Sequence, residues 1–93
     1  MEFLKEYDFS SLANESERLV LDELEKQLKA LGDERLMSEE CVLDIAAYAL
    51  NHVKPRYRAT LLGRIYASSI SEEEAYEIKK AVTTAIKKVL ADL

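Results

Sequence analysis

The sequence predicts a compact all-α domain of three to four helices with one irregular basic connector. Its 93 residues contain only two glycines and one proline, too few for the turns that an all-β fold needs. Three segments place apolar residues at helical spacing, and each follows a side chain suited to capping a helix. A chain of this length supplies one core, so we expect a single domain over residues 1–93.

The first predicted helix covers residues 14–31. Asn14 and Glu17 have the spacing of a capping box, in which Asn14 accepts from the N–H of residue 17 and Glu17 reaches back. Gly32 is the expected stop. The apolar face of this helix is formed by Val20, Leu24, Leu28 and Leu31. Residues 1–12 are expected to form an N-terminal arm or a short helix.

The second predicted helix, over residues 38–52, is apolar on nearly every face. A helix of this kind must be buried all round, either at the centre of the core or in a seam between two subunits. A chain of this size buries only roughly 60–65% of its surface, so its own core is thin. We therefore expect a homodimer. The third helix, over residues 72–92, begins with a second capping box at Ser71 and Glu74.

An acid-free window over residues 45–71 interrupts an otherwise acidic chain of formal charge −5. It contains four cations and includes the connector between the second and third helices, residues 53–63, which we expect to be extended. The cations are Lys54, Arg56, Arg58 and Arg64. Their local clustering favours a small anion, because the acidic flanks would repel duplex DNA.

The side chains in and beside the connector have the chemistry to hold a phosphorylated nucleotide. The planar guanidinium group of arginine can donate two hydrogen bonds to phosphate oxygens. A tyrosine ring can stack on a base, and an asparagine amide can form hydrogen bonds with the edge of a purine. The candidate ligand-binding residues are Asn51, Arg56, Tyr57, Arg58, Arg64 and Tyr66. The residues alone fit a second interpretation equally well, in which the arginines pair with the acidic first helix and the tyrosines lie in the core.

Other classes of site are poorly supported by the residue types. Cys41 and His52 are the only residues of their kinds, so a four-ligand zinc site lacks its usual paired ligands, and no metal or cofactor is expected. No set of nucleophile, base and orienting group is evident, so we expect no enzyme activity. The chain contains no membrane-length apolar run and no visible signal peptide, which favours a cytoplasmic protein without membrane partners.

The string from Cys41 to Tyr66, CVLDIAAYALNHVKPRYRATLLGRIY, resembles the signature of the late competence development protein ComFB family. The resemblance implies an all-α homodimer that acts as a receptor for cyclic dinucleotides, chiefly cyclic di-GMP and in some members cyclic di-AMP. Other members carry a zinc site built from cysteines near the start of this helix. Here Leu36 and Ser38 stand where the earlier cysteines are expected, so the zinc site is expected to be lost.

Three functions remain open from the sequence. The first is a non-catalytic cyclic-dinucleotide receptor that signals to a downstream protein. The second is a dimeric protein–protein adaptor that has no nucleotide ligand. Single-stranded nucleic-acid binding is the third, and it ranks last because the isoelectric point is near 4.9.

Overall fold

The computed structural model describes residues 2–60, 62, 65 and 69–93. It confirms the all-α fold class, with four α-helices and one very small sheet in this part of the chain. In chain order the elements are α1 (Glu2–Glu6), β1 (Ala13–Asn14), α2 (Glu15–Leu31), a 3-10 turn (Glu34–Leu36), α3 (Glu39–Leu50), β2 (Tyr57–Arg58) and α4 (Glu72–Ala91). The three long helices agree with the predicted ones to within one or two residues at each end.

The helix ends follow the local signals in the sequence. Gly32 ends α2 in the left-handed conformation (φ 62°), and its N–H donates to the carbonyl of Leu28. Ser71 and Glu74 form the predicted reciprocal capping box of α4. Asn14 is the N-cap of α2 as expected, but its side chain accepts from the N–H of Ser16 and not from residue 17. The capping-box prediction was therefore wrong in its partner.

The core is formed by one face of each long helix. Val20 of α2, Ile45 of α3 and Val82 of α4 are wholly buried, and Leu36 from the 3-10 turn joins them. A polar bridge ties α2 to α4 beside this core: Gln27 Nε2 donates to the carbonyl of Lys79, and Thr83 Oγ1 donates to Gln27 Oε1.

Helix α3 is not buried all round within one chain. Ile45, Ala46 and Ala49 face the core, whereas Leu43 is 60% exposed and Ala47 is also exposed. The sequence predicted this helix either at the centre of the core or in a seam between two subunits. Only one face of α3 packs into the core of its own chain. The opposite face is left open to solvent.

The predicted N-terminal arm contains α1, and none of the residues of that helix is buried. Within the described part of the chain, no helix combines the length and the apolar character needed to cross a membrane.

Candidate ligand site at the connector

The connector between α3 and α4 is attached to the start of α2. Strand β2 pairs antiparallel with β1, so that Ala13 lies opposite Arg58 and Asn14 lies opposite Tyr57. We call this contact, formed by residues 13–16 and 54–58, the α2–connector junction. The extended conformation expected for the connector is thus confirmed at Tyr57–Arg58, although the pairing partner of this strand was not predicted. The expectation was wrong at Leu62, which is helical.

Hydrogen bonds from three consecutive residues at the start of α2 hold the backbone of the connector. Asn14 Oδ1 accepts from the N–H of Arg56 at 2.7 Å, and Glu15 N–H donates to the carbonyl of Arg56 at 2.7 Å. Ser16 Oγ donates to the carbonyl of Lys54 at 2.6 Å. Because each of these bonds joins residues about forty positions apart, the connector has a defined position relative to α2.

One carboxylate in the junction is buried between two arginines. The Glu15 side chain is 8% exposed, and it accepts from Arg18 Nε at 2.5 Å and from Arg58 Nε at 3.4 Å. The hydrogen bond from Arg18 is the largest of the effects that lower the pKa of Glu15, and the positive charges of Arg18 and Arg58 act in the same direction. Burial opposes them, and the net result is a carboxylate held in its charged form.

The second connector arginine is paired with the first turn of α4. Arg56 forms an ion pair with Glu74, and the two side chains are 13% and 41% exposed. Glu74 is also the capping-box residue of α4, so one carboxylate serves both the helix cap and the connector. The interpretation in which the arginines pair with the acidic first helix therefore holds for Arg58, which pairs with Glu15 of α2. It was wrong for Arg56, which pairs with α4, and for Tyr57, which is exposed and not in the core.

The side chains of the three consecutive candidates Arg56, Tyr57 and Arg58 do not point to the same side of the connector. Successive side chains of a strand point to opposite sides, and the exposures follow that rule. Arg56 and Arg58 are 13% and 21% exposed and face the helices, whereas Tyr57 between them is 66% exposed. A single chain therefore does not bring this tyrosine and these arginines around one small ligand.

Of the remaining candidate residues, one lies away from the junction and two lie outside the residues that the structure describes. Asn51 is exposed at the end of α3, where its N–H donates to the carbonyl of Ala47 at 3.1 Å. Arg64 and Tyr66 lie outside the described residues.

A cavity of about 180 Å³ lies beside Arg56, between the connector and α4. Val53 and Ile78 supply apolar walls, and the charged lining residues are Lys54, Arg56, Glu73, Glu74 and Glu77. Three carboxylates against two cations leave the lining slightly negative. A phosphate would enter this cavity more readily if one of the carboxylates withdrew.

The positions at which the resemblance expects zinc-binding cysteines have structural roles. Leu36 is completely buried in the core, and Ser38 caps α3 by accepting from the N–H of Cys41 at 3.2 Å. Cys41 itself is half-buried. Over the residues that the structure describes, no group of three or more His, Cys, Asp or Glu side chains is arranged to hold a metal ion.

Replacement of Glu15 by glutamine is expected to destabilise the fold in a pH-dependent way. Glutamine keeps the shape but loses two charge-assisted bonds, so the free energy of unfolding should fall by about 1.5–3 kcal/mol at pH 7. Because the pKa of Glu15 is lowered in the fold, its contribution is complete above the unfolded value of about 4.3 and is lost as the pH falls further. Urea unfolding of both proteins between pH 7 and pH 3 measures this difference.

Glu17→Gln is the matched control, since Glu17 lies in the same helical turn but is exposed. It should cost less than about 1 kcal/mol. A difference between Glu15→Gln and the parent protein that stays constant down to pH 3 would contradict the assigned role.

Comparison with protein families gives one result that bears on the whole domain. The family model described as late competence development protein ComFB matches residues 13–92, which include α2, the connector, α3 and α4. Searches of curated proteins and of solved structures returned no match. Because the family match extends over most of the chain and includes the α2–connector junction, this protein belongs to the ComFB family.

Proposed function

We propose that this protein is a non-catalytic cyclic-dinucleotide receptor, with cyclic di-GMP or cyclic di-AMP as its ligand. Family membership supports the proposal, because the resemblance described above implies such ligands. The observation that carries it is the acid-free window, in which Lys54, Arg56 and Arg58 lie on a segment with a defined backbone. A doubly charged ligand of small size matches a cluster of about four positive charges better than a long polyanion does.

The ion pairs distinguish Arg56 from Arg58 as partners for a phosphate. Arg58 is held by Glu15, which is buried and also bound to Arg18, so this arginine is assigned to the structure of the junction. Glu74 is 41% exposed and lies in the first turn of α4, from where its side chain can turn to solvent. In our proposal a ligand phosphate replaces Glu74 at Arg56, and the cavity beside Arg56 accepts part of the nucleotide.

The exchange at Arg56 predicts that removal of the competing carboxylate strengthens binding. Glu74→Gln should lower the dissociation constant for the cyclic dinucleotide by about two- to fivefold, since a half-exposed ion pair contributes roughly 0.2–1 kcal/mol. Arg56→Ala should weaken binding by about 1.5–3 kcal/mol, the range for a bond to a charged group. Isothermal titration calorimetry with cyclic di-GMP and with cyclic di-AMP measures both effects.

Glu72→Gln is the control for the Glu74 variant, because it removes the same charge from the same helical turn and leaves the pair with Arg56 intact. It should change the affinity less than Glu74→Gln does. The proposal fails if neither nucleotide gives heat with the parent protein or with Glu74→Gln at tens of micromolar. Weaker binding by Glu74→Gln would contradict the exchange.

The second candidate function, a dimeric adaptor without a nucleotide ligand, is favoured by the open face of α3. Leu43 is 60% exposed, and Ala47 is exposed on the same side of the helix, next to the exposed Asp44. A second copy or another protein that covers this face would remove about one leucine side chain per chain from water, which is worth roughly 1.5–3 kcal/mol. In this function the basic connector docks onto an acidic patch of another protein.

Leu43→Asp should therefore weaken self-association by about tenfold or more, because it places an unpaired charge in the apolar seam. Leu21→Asp is the control, since Leu21 is also an exposed leucine, at 49%, but lies on α2 and not on α3. Sedimentation equilibrium over a range of concentrations measures the association constants. Equal effects of the two substitutions, or no effect of either, would rule out α3 as the seam. A dimer through α3 that gives no heat with either nucleotide would favour the adaptor over the receptor.

A further inference from the structure

The N-terminal arm, residues 2–12, carries large apolar side chains that remain about half exposed. Phe3, Leu4, Tyr7, Phe9 and Leu12 are 44–58% exposed, and they include both phenylalanines of the protein. The Phe3 ring lies 5.0 Å from that of Tyr7 and 5.7 Å from that of Phe9. The arm precedes the residues that the family model matches. A helix of five residues is not stable in water without packing, so we expect a surface to cover it.

An apolar groove of about 400 Å³ lies between the C-terminal halves of α2 and α4. Ala30 and Leu31 form one wall, and Ile86 and Leu90 form the other. Leu31 is 55% exposed, so the groove is open to solvent. Its volume lies within the range of pockets that bind small apolar groups.

The arm and the groove have opposite charges. Residues 2–12 contain three acids and one lysine, which gives the arm a formal charge of −2. Residues 78–91 of α4 contain four lysines and no acid, and one of these lysines, Lys87, lines the groove. Complementary charges of this kind set the orientation and the partner of an apolar contact.

No residue of the arm lines the groove of its own chain. The arm ends beside the N-terminus of α2, whereas Gln27 at the near end of the groove lies 13 residues beyond Asn14, or about 20 Å along the helix. We propose that the aromatic arm of one copy docks into the α2–α4 groove of a second copy. This contact needs neither a nucleotide nor the connector, and it is separate from the open face of α3.

Photochemical cross-linking maps the contact directly. Unlabelled protein with benzoylphenylalanine in place of Phe9 is mixed with ¹⁵N-labelled parent protein, irradiated and digested for mass spectrometry. The expected products join an unlabelled arm to labelled peptides that contain Leu31 or Leu90. Cross-links only within one chain, cross-links to other surfaces such as α3, or no cross-link between chains would overturn the proposal.

A charge substitution gives a quantitative check in the same assay. Lys87→Glu in the labelled partner should lower the yield of these cross-links by about two- to fivefold, as expected for the loss of an exposed charge pair. Lys80→Glu is the control, because Lys80 lies on α4 but outside the groove. Equal losses for the two variants would show a general charge effect and overturn the docking site. Leu43→Asp should leave the cross-linked positions unchanged, which separates this contact from a seam through α3.

Discussion

The attachment of the connector to the first turn of α2 is the interaction on which the candidate site depends. Asn14, Glu15 and Ser16 supply hydrogen bonds to the backbone of Lys54 and Arg56, and these bonds hold a segment that has little apolar side-chain burial of its own. Buried backbone N–H and C=O groups need hydrogen-bond partners. Here the partners come from the start of α2, where the first N–H groups have no partner within the helix. One set of three residues therefore caps α2 and positions the basic segment.

This attachment also determines which way the basic side chains point. Pairing as a strand places Arg56 and Arg58 towards the helices and Tyr57 towards solvent. The two arginines meet Glu74 and Glu15, so in the proposed receptor a ligand phosphate would compete with carboxylates of the protein itself. Such competition would give the proposed receptor a means of signalling, because a phosphate that displaces Glu74 from Arg56 would also change the capping of α4. Binding and the stability of the α4 N-terminus would then be linked.

The sequence predicts the helices well because their signals are local. Gly32 and Ser71 act within a few residues of their positions, and the apolar spacing from Val20 to Leu28 identifies the buried face of α2. The junction was not predicted because its contacts join distant residues. The spacing of Asn14 and Glu17 was fully explained by a capping box at the start of α2. It gave no indication that Asn14 also accepts a hydrogen bond from Arg56.

The carboxylate partner of each arginine was not identified for a related reason. Glu15 and Arg58 are separated by 43 positions, and an acidic chain offers many carboxylates to each arginine. Charge counts therefore located the basic segment without showing how much of its charge the fold neutralises. The open face of α3 shows the opposite case: the apolar pattern predicted a helix that is buried all round, whereas one chain covers only the face formed by Ile45, Ala46 and Ala49.

Hydrogen–deuterium exchange of single amides, followed by NMR, tests the attachment of the connector most directly. The amide of Arg56 donates to the Asn14 side chain and that of Glu15 donates to the carbonyl of Arg56. The account predicts that both amides exchange far more slowly than the amides of the exposed helix α1, and that they open together. Exchange of the Arg56 amide as fast as that of α1, while α2 remains protected, would show that the connector is not held and would contradict the account.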